Sequence, residues 1–244
     1  MDTSATTGRA SRYLFDENLF RQINELGLSL RIEFDMEEWK TYILGTDWPV
    51  VNASADPARH EFKPGEVFWL NLHKRGHTIG TQVLRIIETE DYVELIRSHR
   101  LWYGDSPSAL REARMLRSDL PRLGGTVVQA SGLYIDPAWR RARTSWGMRL
   151  VAASMRLTHD FTLRNLHPDW AVTLIEKHVA TPRIIHDLYG YPHAVEVFEA
   201  FFPYVERMER MTMAWMSHAE LAGVSRSPPP AIGRSPHLFA PSAG

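Results

Sequence analysis

The chain has 244 residues, with 28 lysines and arginines against 29 aspartates and glutamates, so its formal net charge is −1. This near-neutral balance supplies no general field that would attract nucleic acid or an anionic membrane, and neither is expected as a partner. The absence of cysteine excludes disulfides, thiolate nucleophiles and cysteine-based metal sites, and it is typical of a cytoplasmic protein.

The sequence predicts one domain between two disordered terminal segments. Residues 1–11 have no apolar periodicity and no signal-like apolar region, and residues 225–244 are rich in proline, serine and glycine. Segments of this composition bury too little apolar surface to offset their ordering entropy. Residues 12–224 contain no repeat, no linker and no apolar run near the roughly 18–20 residues of a transmembrane helix.

The first half of this domain alternates between helical and strand periodicity. Leu19 and Ile23 follow helical spacing, and Gly27 is a candidate C-cap. Helices are predicted over residues 15–26, 36–43 (with Asp35 as N-cap), 88–100 and 108–117. Strands are predicted over residues 28–34, 67–72 and 79–87. Gly76, in the HKRGH segment between the last two strands, favours a hairpin.

The second half contains an apolar, β-rich run over residues 126–135, bounded by Gly124-Gly125 and Asp136-Pro137. A run of this kind is typical of a central strand that is covered on both faces. Further elements are predicted in the order helix 146–163, strand 170–176, short helix 182–188 and strand 208–216. This order predicts an α/β (α+β) fold with a mixed, mostly antiparallel central sheet flanked by helices.

The segment SGLYIDPAWRRARTSWGMRL, residues 131–150, carries the clearest chemical signal. It predicts a buried strand, a basic loop and a helix that begins near Ser145. Free N–H groups at a helix start form an anion site, which the helix dipole reinforces. Arg140, Arg141 and Arg143 flank that site and Thr144 adds a hydroxyl, so a pyrophosphate suits the arrangement. A solvated basic turn that caps the helix explains the same spacing.

The same segment resembles motif A of the GCN5-related N-acetyltransferases. In that family a strand ends in V-x-P-x-x-R and continues into R-G-x-G-x-G-x-x-L, whose main-chain amides hold the pyrophosphate of acetyl-coenzyme A. Gly147 and Leu150 match the last glycine and the leucine of this pattern. Ser145 stands where the middle glycine belongs, and Ala142 and Arg143 occupy the basic residue and the first glycine.

Further segments extend the resemblance over roughly residues 28–217 in element order. The run TPRIIHDLYGYPHA is similar to motif B, in which a helix ends at a glycine–aromatic pair, here Gly190-Tyr191. Gly80 matches the small residue after which the substrate and cofactor strands of the family separate. The run RMTMAWMS resembles the closing strand, which inserts beside the motif B strand. The resemblance therefore implies the family's acyltransferase fold.

The resemblance implies that the protein transfers an acyl group directly from acetyl-CoA, or another acyl-CoA, to a small amine. The acyl-CoA is a substrate, and no metal is expected. The pantetheine arm would pair with the backbone of the strand before the loop, which splays from its neighbour. The implied coenzyme-binding residues are Leu133, Tyr134, Ile135, Arg140, Arg141, Ala142, Arg143, Thr144, Ser145, Trp146 and Gly147.

Direct transfer needs an acid for the departing thiolate and a base for the ammonium. The family often places a tyrosine acid four residues before the motif B glycine, where this chain has His186. Tyr189 lies close by and is the alternative, together with Tyr191. The base has no clear candidate, because Gln129 and Ser131 occupy the strand where some relatives carry glutamate. A water relay or another residue would then be required.

Two other functions stay open. The altered glycine loop and the missing carboxylate base favour a degenerate domain that binds coenzyme A or a metabolite without catalysis, as a regulatory or scaffold protein. An acyl-homoserine-lactone synthase-like enzyme would use a long acyl donor, but its N-terminal Arg/Trp/Asp pattern is not found in this sequence.

Other polar and aromatic residues have mainly structural interpretations. His73 and His77 are interpreted as part of a solvated turn rather than as a pair of metal ligands. His159-Asp160 are interpreted as polar residues exposed to solvent. The methionines at 208, 211, 213 and 216 are interpreted as strand packing. An aromatic cluster is expected in the core, with Phe201-Phe202 as candidates for an acceptor pocket or a homodimer surface: Trp102, Tyr103, Phe198, Phe201, Phe202 and Tyr204.

Overall fold

The structure is a computed structural model, and it describes residues 13–25, 27–140 and 145–226. The helices are α1 (Glu17–Glu25), α2 (Met36–Leu44), α3 (Tyr92–Arg97), α4 (Arg100–Tyr103), α5 (Pro137–Arg140), α6 (Ser145–Phe161) and α7 (His218–Arg226). The strands are β1 (Leu28–Glu33), β2 (Val67–Lys74), β3 (His77–Thr89), β4 (Arg111–Met115), β5 (Gly125–Ile135), β6 (Trp170–Glu176), β7 (His193–Phe202) and β8 (Arg207–Ser217). Two π-helical segments, π1 (Thr162–Leu166) and π2 (Arg183–Leu188), precede β6 and β7.

The strands form one sheet in the order β1-β2-β3-β5-β6-β8-β7-β4. The β5–β6 pair is parallel, and the other pairs are antiparallel. The predicted fold class, a mixed and mostly antiparallel sheet flanked by helices, is therefore confirmed. The closing strand β8 inserts between β6 and β7, so β6 lies in the middle of the sheet rather than at an edge.

Local sequence signals set several of these elements. Asp35 accepts a hydrogen bond from the backbone N–H of Glu38 at 2.9 Å and caps α2 as predicted. The β2–β3 hairpin turns through Arg75 and Gly76, both with positive φ, which is the backbone that a two-residue hairpin turn needs. Helix α6 begins at Ser145, where the basic loop was predicted to end.

Apolar side chains on the two faces of the sheet form separate cores, because successive strand residues point to opposite faces. One face packs against α1 and α6, through residues that include Val128, Leu150 and Leu157. The other face packs against α2, α3 and α4, through residues that include Val83, Val127 and Trp39. We call these the α6 face and the α2 face.

Four sequence predictions are wrong at the level of elements. Residues 108–117 are not helical, because β4 pairs there with the edge of β7. The predicted helix 88–100 begins as the end of β3 and then divides into α3 and α4. Strand β7 was not predicted, although AVEVFEAFF alternates between apolar and acidic residues over part of its length. The basic loop contains one helical turn, α5.

The predicted terminal segments fall largely outside the described residues. Helix α7 continues to Arg226, two residues beyond the predicted domain boundary at 224. The predicted N-terminal boundary at residue 12 and the segment 227–244 lie outside the described part of the chain. Within the described residues, no helix has the length and apolar character needed to cross a membrane.

Candidate active site

The parallel strands β5 and β6 separate part-way along their length. They pair from Val127–Trp170 to Ala130–Thr173 and no further, while β5 continues to Ile135 and β6 to Glu176. Beyond Ala130, β5 keeps its other partner, because Tyr134 and Ile135 still pair with β3. The result is a V-shaped opening in the middle of the sheet.

A glycine bulge in β5 produces this opening. Gly132 has a φ of +57°, and the β3–β5 register shifts beside it, between Thr81 and Val83. A Cβ at Gly132 would lie 3.1 Å from Trp39 Cζ2, so the ring packs directly against the glycine backbone. Positive φ and this close approach together favour glycine at the position.

A cavity of about 230 Å³ occupies the opening. Six aromatic residues line it, together with aliphatic and uncharged polar side chains and one acidic residue. The aromatic lining residues are Trp39, Trp48, Trp102, Tyr134, Tyr189 and Tyr204. Trp48 is 47% exposed, so this wall of the cavity reaches the protein surface.

Two members of the predicted aromatic cluster, Trp102 and Tyr204, contribute to the cavity, whereas Phe201 and Phe202 are absent from its lining. Phe202 is fully buried against Trp102, and Phe201 packs beneath the Arg111 guanidinium. The hypothesis that Phe201-Phe202 line an acceptor pocket is therefore not met at this cavity, whereas Trp102 and Tyr204, which were interpreted as core, do line it.

Glu176, at the carboxyl end of β6, is the only charged side chain among the described residues that line the cavity. It shares the α2 face with Val172, since alternate strand residues point the same way. Burial, with a contribution from the Glu209 charge, raises the pKa of Glu176, although His178 and Arg207 act in the opposite direction. Glu176 was not among the site residues predicted from the sequence; its signal there is a carboxylate at the last position of a predicted strand.

Gln129 and Ser131 lie on the same face as Glu176 and are both buried. Gln129 Nε2 donates to Ser54 Oγ at 3.2 Å, which leaves Gln129 Oε1 without a partner in the described part of the chain. Ser131 Oγ likewise has no partner there. Buried polar atoms are nearly always paired, so these two oxygens are suited to a ligand or an ordered water.

Tyr189 reaches the cavity from the other side of the sheet. It packs with Met155 and Ile175 in the core beneath α6, and its side chain lines the opening. Burial raises the pKa of Tyr189, so the phenol stays protonated at neutral pH. The structure thus places Tyr189, one of the three acid candidates His186, Tyr189 and Tyr191, at the opening.

His186, another of these candidates, lies on the exposed surface outside the cavity lining. Its Nδ1 is 2.6 Å from the Tyr191 backbone oxygen. Residues 183–188 form a π-helix, whose wider turn does not stack positions 186 and 189 on one face as an α-helix would.

The backbone of Tyr189 is fixed by a buried histidine on α6. His159 Nε2 lies 2.6 Å from the Tyr189 backbone oxygen, and its ring packs edge-on against Tyr191 at a centroid distance of 5.1 Å. His159 is 2% exposed and Asp160 is 1% exposed, with Asp160 bound to Arg164 at 2.6 Å. The interpretation of His159-Asp160 as solvent-exposed polar residues is wrong. His159 follows Met155 by one helical turn, a spacing that places it on the buried stripe.

The predicted coenzyme-binding residues are only partly described. Leu133, Tyr134 and Ile135 lie on β5 beyond the last β5–β6 pair, on the part of the strand from which β6 has diverged. Gly80 packs against Ile135, where an added Cβ would lie 2.7 Å from Ile135 Cδ1. Arg140 ends α5, and Ser145, Trp146 and Gly147 begin α6. Arg141, Ala142, Arg143 and Thr144 lie outside the described residues.

The predicted histidine pair does not converge on a site. His73 is 8% exposed in β2, whereas His77 is exposed at the start of β3, so only His77 fits a solvated turn. The methionines Met211, Met213 and Met216 are buried on β8, while Met208 is exposed.

One group of side chains has the donor types of a metal site. The possible ligand atoms of Glu176, His178 and Glu209 lie within 4.8 Å of one another. The guanidinium of Arg207 pairs with both carboxylates, at 3.4 Å for Glu176. The shorter of these two contacts is with Glu209, so Arg207 mainly balances the charge of Glu209 and pairs only loosely with Glu176.

Comparison with known proteins gives distant structural likenesses. No family model and no curated protein matches the sequence. FeeM, an N-acyl amino acid synthase from uncultured soil microbes, is 14% identical with a TM-score of 0.47, over 82% of this chain and 94% of its own. NAA60 of Arabidopsis thaliana in complex with acetyl-CoA is 10% identical with a TM-score of 0.46, over 78% and 99% of the two chains.

A third solved structure, the aminoglycoside N(6')acetyltransferase from Legionella pneumophila, is 10% identical with a TM-score of 0.45, over 81% of this chain and 95% of its own. These values describe a remote similarity in backbone, and the assignment of residues rests on the cavity itself.

Proposed function

We propose that the protein is an acyl-CoA-dependent N-acyltransferase that transfers an acetyl or another short acyl group to a small amine by direct attack. One observation carries the proposal: a carboxylate and a phenol meet at the same opening of the sheet from opposite sides. Glu176 lies on the α2 face, and Tyr189 packs into the core of the α6 face. A base and an acid on opposite sides of a reacting carbonyl are what direct transfer requires.

The donor side of the opening suits an extended thioester arm. Strands β5 and β6 pair only as far as Ala130 and Thr173, and the side of β5 beyond that point is where the amides of a pantetheine chain would pair. Helix α6 begins ten residues after the end of β5, and its first N–H groups form the end that favours a phosphate.

The chemistry follows from the two side chains. Glu176, directly or through a water, accepts a proton from the ammonium group of the acceptor. The amine nitrogen then forms a bond to the thioester carbonyl carbon, and the carbon–sulfur bond breaks. The thiolate of coenzyme A takes the phenolic proton of Tyr189, which is regained from solvent. The raised pKa of Tyr189 keeps that proton in place until the thiolate forms.

The cavities favour a short acyl group. On the α6 face, described residues near Gly80 and Leu157 leave a cavity of about 10 Å³, which is room for about one water. A long acyl chain therefore finds no preformed space there, and an acyl-homoserine-lactone synthase-like activity has no support in the described residues. The degenerate, non-catalytic alternative was favoured because the sequence offered no carboxylate base. Glu176 supplies such a carboxylate.

The test is steady-state transfer from acetyl-CoA to a panel of amines, followed by release of the free thiol and by product mass. We expect Glu176→Gln and Tyr189→Phe each to lower kcat by about 10²–10⁴-fold with a smaller change in KM, since each removes a proton-transfer group.

Matched controls are Glu90→Gln, whose carboxylate is 96% exposed outside the cavity, and Tyr13→Phe, which packs on Phe161. Both should keep turnover near that of the unmodified protein. Tight binding of acetyl-CoA by the folded protein, with no transfer to any amine, would contradict the proposal and indicate the degenerate domain.

A further inference from the structure

We propose that the acceptor is an arylalkylamine: a primary amine with one positive charge on a short chain that ends in an aromatic ring. The inference rests on the proposed acyl transfer, because it assigns the acceptor of the same cavity. It excludes polyamines and aminoglycosides, which carry several ammonium groups.

The count of charges in the cavity limits the acceptor to one ammonium group. Glu176 is the only charged residue among the described lining residues. The nearby Glu209 is not part of the lining, is 7% exposed and is paired with Arg207. A second ammonium group would lie against aromatic walls without a counter-charge, and burying an unpaired charge is costly.

The acceptor atoms of the cavity fit a primary ammonium group. Such a group has three N–H donors and no acceptor. Three side chains on the α2 face offer oxygen acceptors at the opening: the Glu176 carboxylate, Gln129 Oε1 and Ser131 Oγ. The last two have no partner in the described part of the chain, so a bound ammonium would satisfy two otherwise orphaned oxygens.

The remaining walls of the cavity fit an aromatic body. Trp39, Trp48, Trp102, Tyr134 and Tyr204 provide flat apolar surfaces, and ring pairs are stabilised beyond their buried area. The volume of about 230 Å³ suits one or two fused rings with a short aminoalkyl chain. The linked rings of an aminoglycoside exceed it.

The test compares amines with the full chain and acetyl-CoA: phenylethylamine, tyramine and tryptamine against spermidine and kanamycin. We expect kcat/KM for the best arylalkylamine to exceed that for spermidine and kanamycin by at least about tenfold, which corresponds to about one ion pair or stacked ring. Trp48→Ala should raise KM for that arylalkylamine several-fold and leave kcat nearly unchanged, because the half-exposed ring contacts only the acceptor body. Phe20→Ala, an exposed aromatic residue on α1, is the matched control and should change neither constant.

Two results separate this inference from the proposed function. Efficient transfer to spermidine or kanamycin, with arylalkylamines as poor acceptors, would overturn the acceptor class and leave acyl transfer intact. Absence of transfer to every amine would contradict the proposed function. In that case calorimetry with the amines alone decides the acceptor class: tyramine binding that weakens about tenfold in Glu176→Gln supports it, and tighter binding of spermidine overturns it.

Discussion

At the scale of single residues, the site depends on groups whose ionisation is set by burial. Glu176 and Tyr189 both have raised pKa values because they are partly removed from water, which makes the carboxylate a stronger base and keeps the phenol protonated. His159 lies behind Tyr189 and shows the opposite effect. Its burial lowers the pKa to about 4, so the ring is neutral at physiological pH.

The buried His159 predicts a specific loss of stability in acid. The pKa is lowered on folding, so the unfolded chain binds the proton more tightly. The contribution of neutral His159 to the free energy of unfolding is therefore present above pH 6.5, and it is lost as the pH falls from 6.5 towards 4. A shift from 6.5 to about 4 corresponds to about 3 kcal/mol, and the charge of the nearby Arg156 acts in the same direction.

We expect His159→Gln, which keeps a donor for the Tyr189 oxygen without a titrating ring, to lose less unfolding free energy than the unmodified protein between pH 7 and pH 4.5. Denaturant unfolding at both pH values measures the difference. His218→Gln provides the control, because that half-buried imidazole bonds to the Pro168 oxygen outside the buried core around Tyr189. Equal losses of unfolding free energy between pH 7 and pH 4.5 in the unmodified protein and in His159→Gln would show that His159 is not protonated on unfolding.

At the scale of elements, the decisive feature is the bulge that ends β5–β6 pairing. Gly132 adopts positive φ, and the register shift beside it lets Tyr134 and Ile135 stay paired with β3 while β6 diverges. The π2 segment is the second such feature. Its wide turn ends at Leu188, after which Tyr189 lies at the opening and Gly190 takes positive φ beneath His159.

Replacing Gly132 by alanine should weaken the bulge. A left-handed backbone costs a residue with a Cβ about 1–2 kcal/mol, and the new methyl would also press on Trp39 at 3.1 Å. We expect the free energy of unfolding of Gly132→Ala to fall by about 1–3 kcal/mol, and KM for the amine to rise as Trp39 shifts.

Gly45→Ala is the matched control for this substitution. Gly45 has a φ of −87°, and the nearest atom to an added Cβ lies at 3.5 Å, which is ordinary contact. Its effect on stability should stay within about 0.5–1 kcal/mol and can be favourable. Equal effects of the two substitutions, measured by urea unfolding, would contradict the role of the bulge.

At the scale of the whole molecule, the sheet is covered on both faces and α7 closes the α6 face beside the site. Leu221 on α7 is fully buried, and Val224 packs near Gly190, where an added Cβ would lie 3.5 Å from its Cγ1. These contacts make α7 part of the folded body.

We expect a chain that ends at residue 226 to keep its melting temperature within about 2 °C of the full protein, because residues 227–244 lack apolar periodicity. A chain that ends at residue 217 loses α7 and the buried Leu221. Loss of a buried leucine costs about 2–5 kcal/mol, which lowers the melting temperature by about 5–15 °C in a protein of this size. Calorimetric scans of the three chains measure both effects, and a large drop for the chain ending at 226 would contradict the predicted tail.

The sequence alone determined what depends on neighbouring residues. The cap of α2 at Asp35, the β2–β3 hairpin at Gly76, the bounds of β5 and β6, and the start of α6 at Ser145 follow from local hydrogen bonding and backbone preference. These elements in chain order were sufficient to predict the class of fold. The resemblance in motif B predicted the acid at His186, with Tyr189 as a neighbouring alternative.

Only the tertiary structure decided which residues meet. Strand β4 has no apolar pattern of its own and exists because it pairs with the β7 edge, where Arg114 binds Glu199. Glu176 becomes a candidate base because β6 diverges from β5 at a bulge. His159 becomes buried because the side of α6 that carries it packs near the end of π2, where its ring contacts the Tyr189 backbone oxygen. Strand pairing, strand register and the packing of one face on another bring together residues that are far apart in the chain. The local periodicity of the sequence does not show which residues these are.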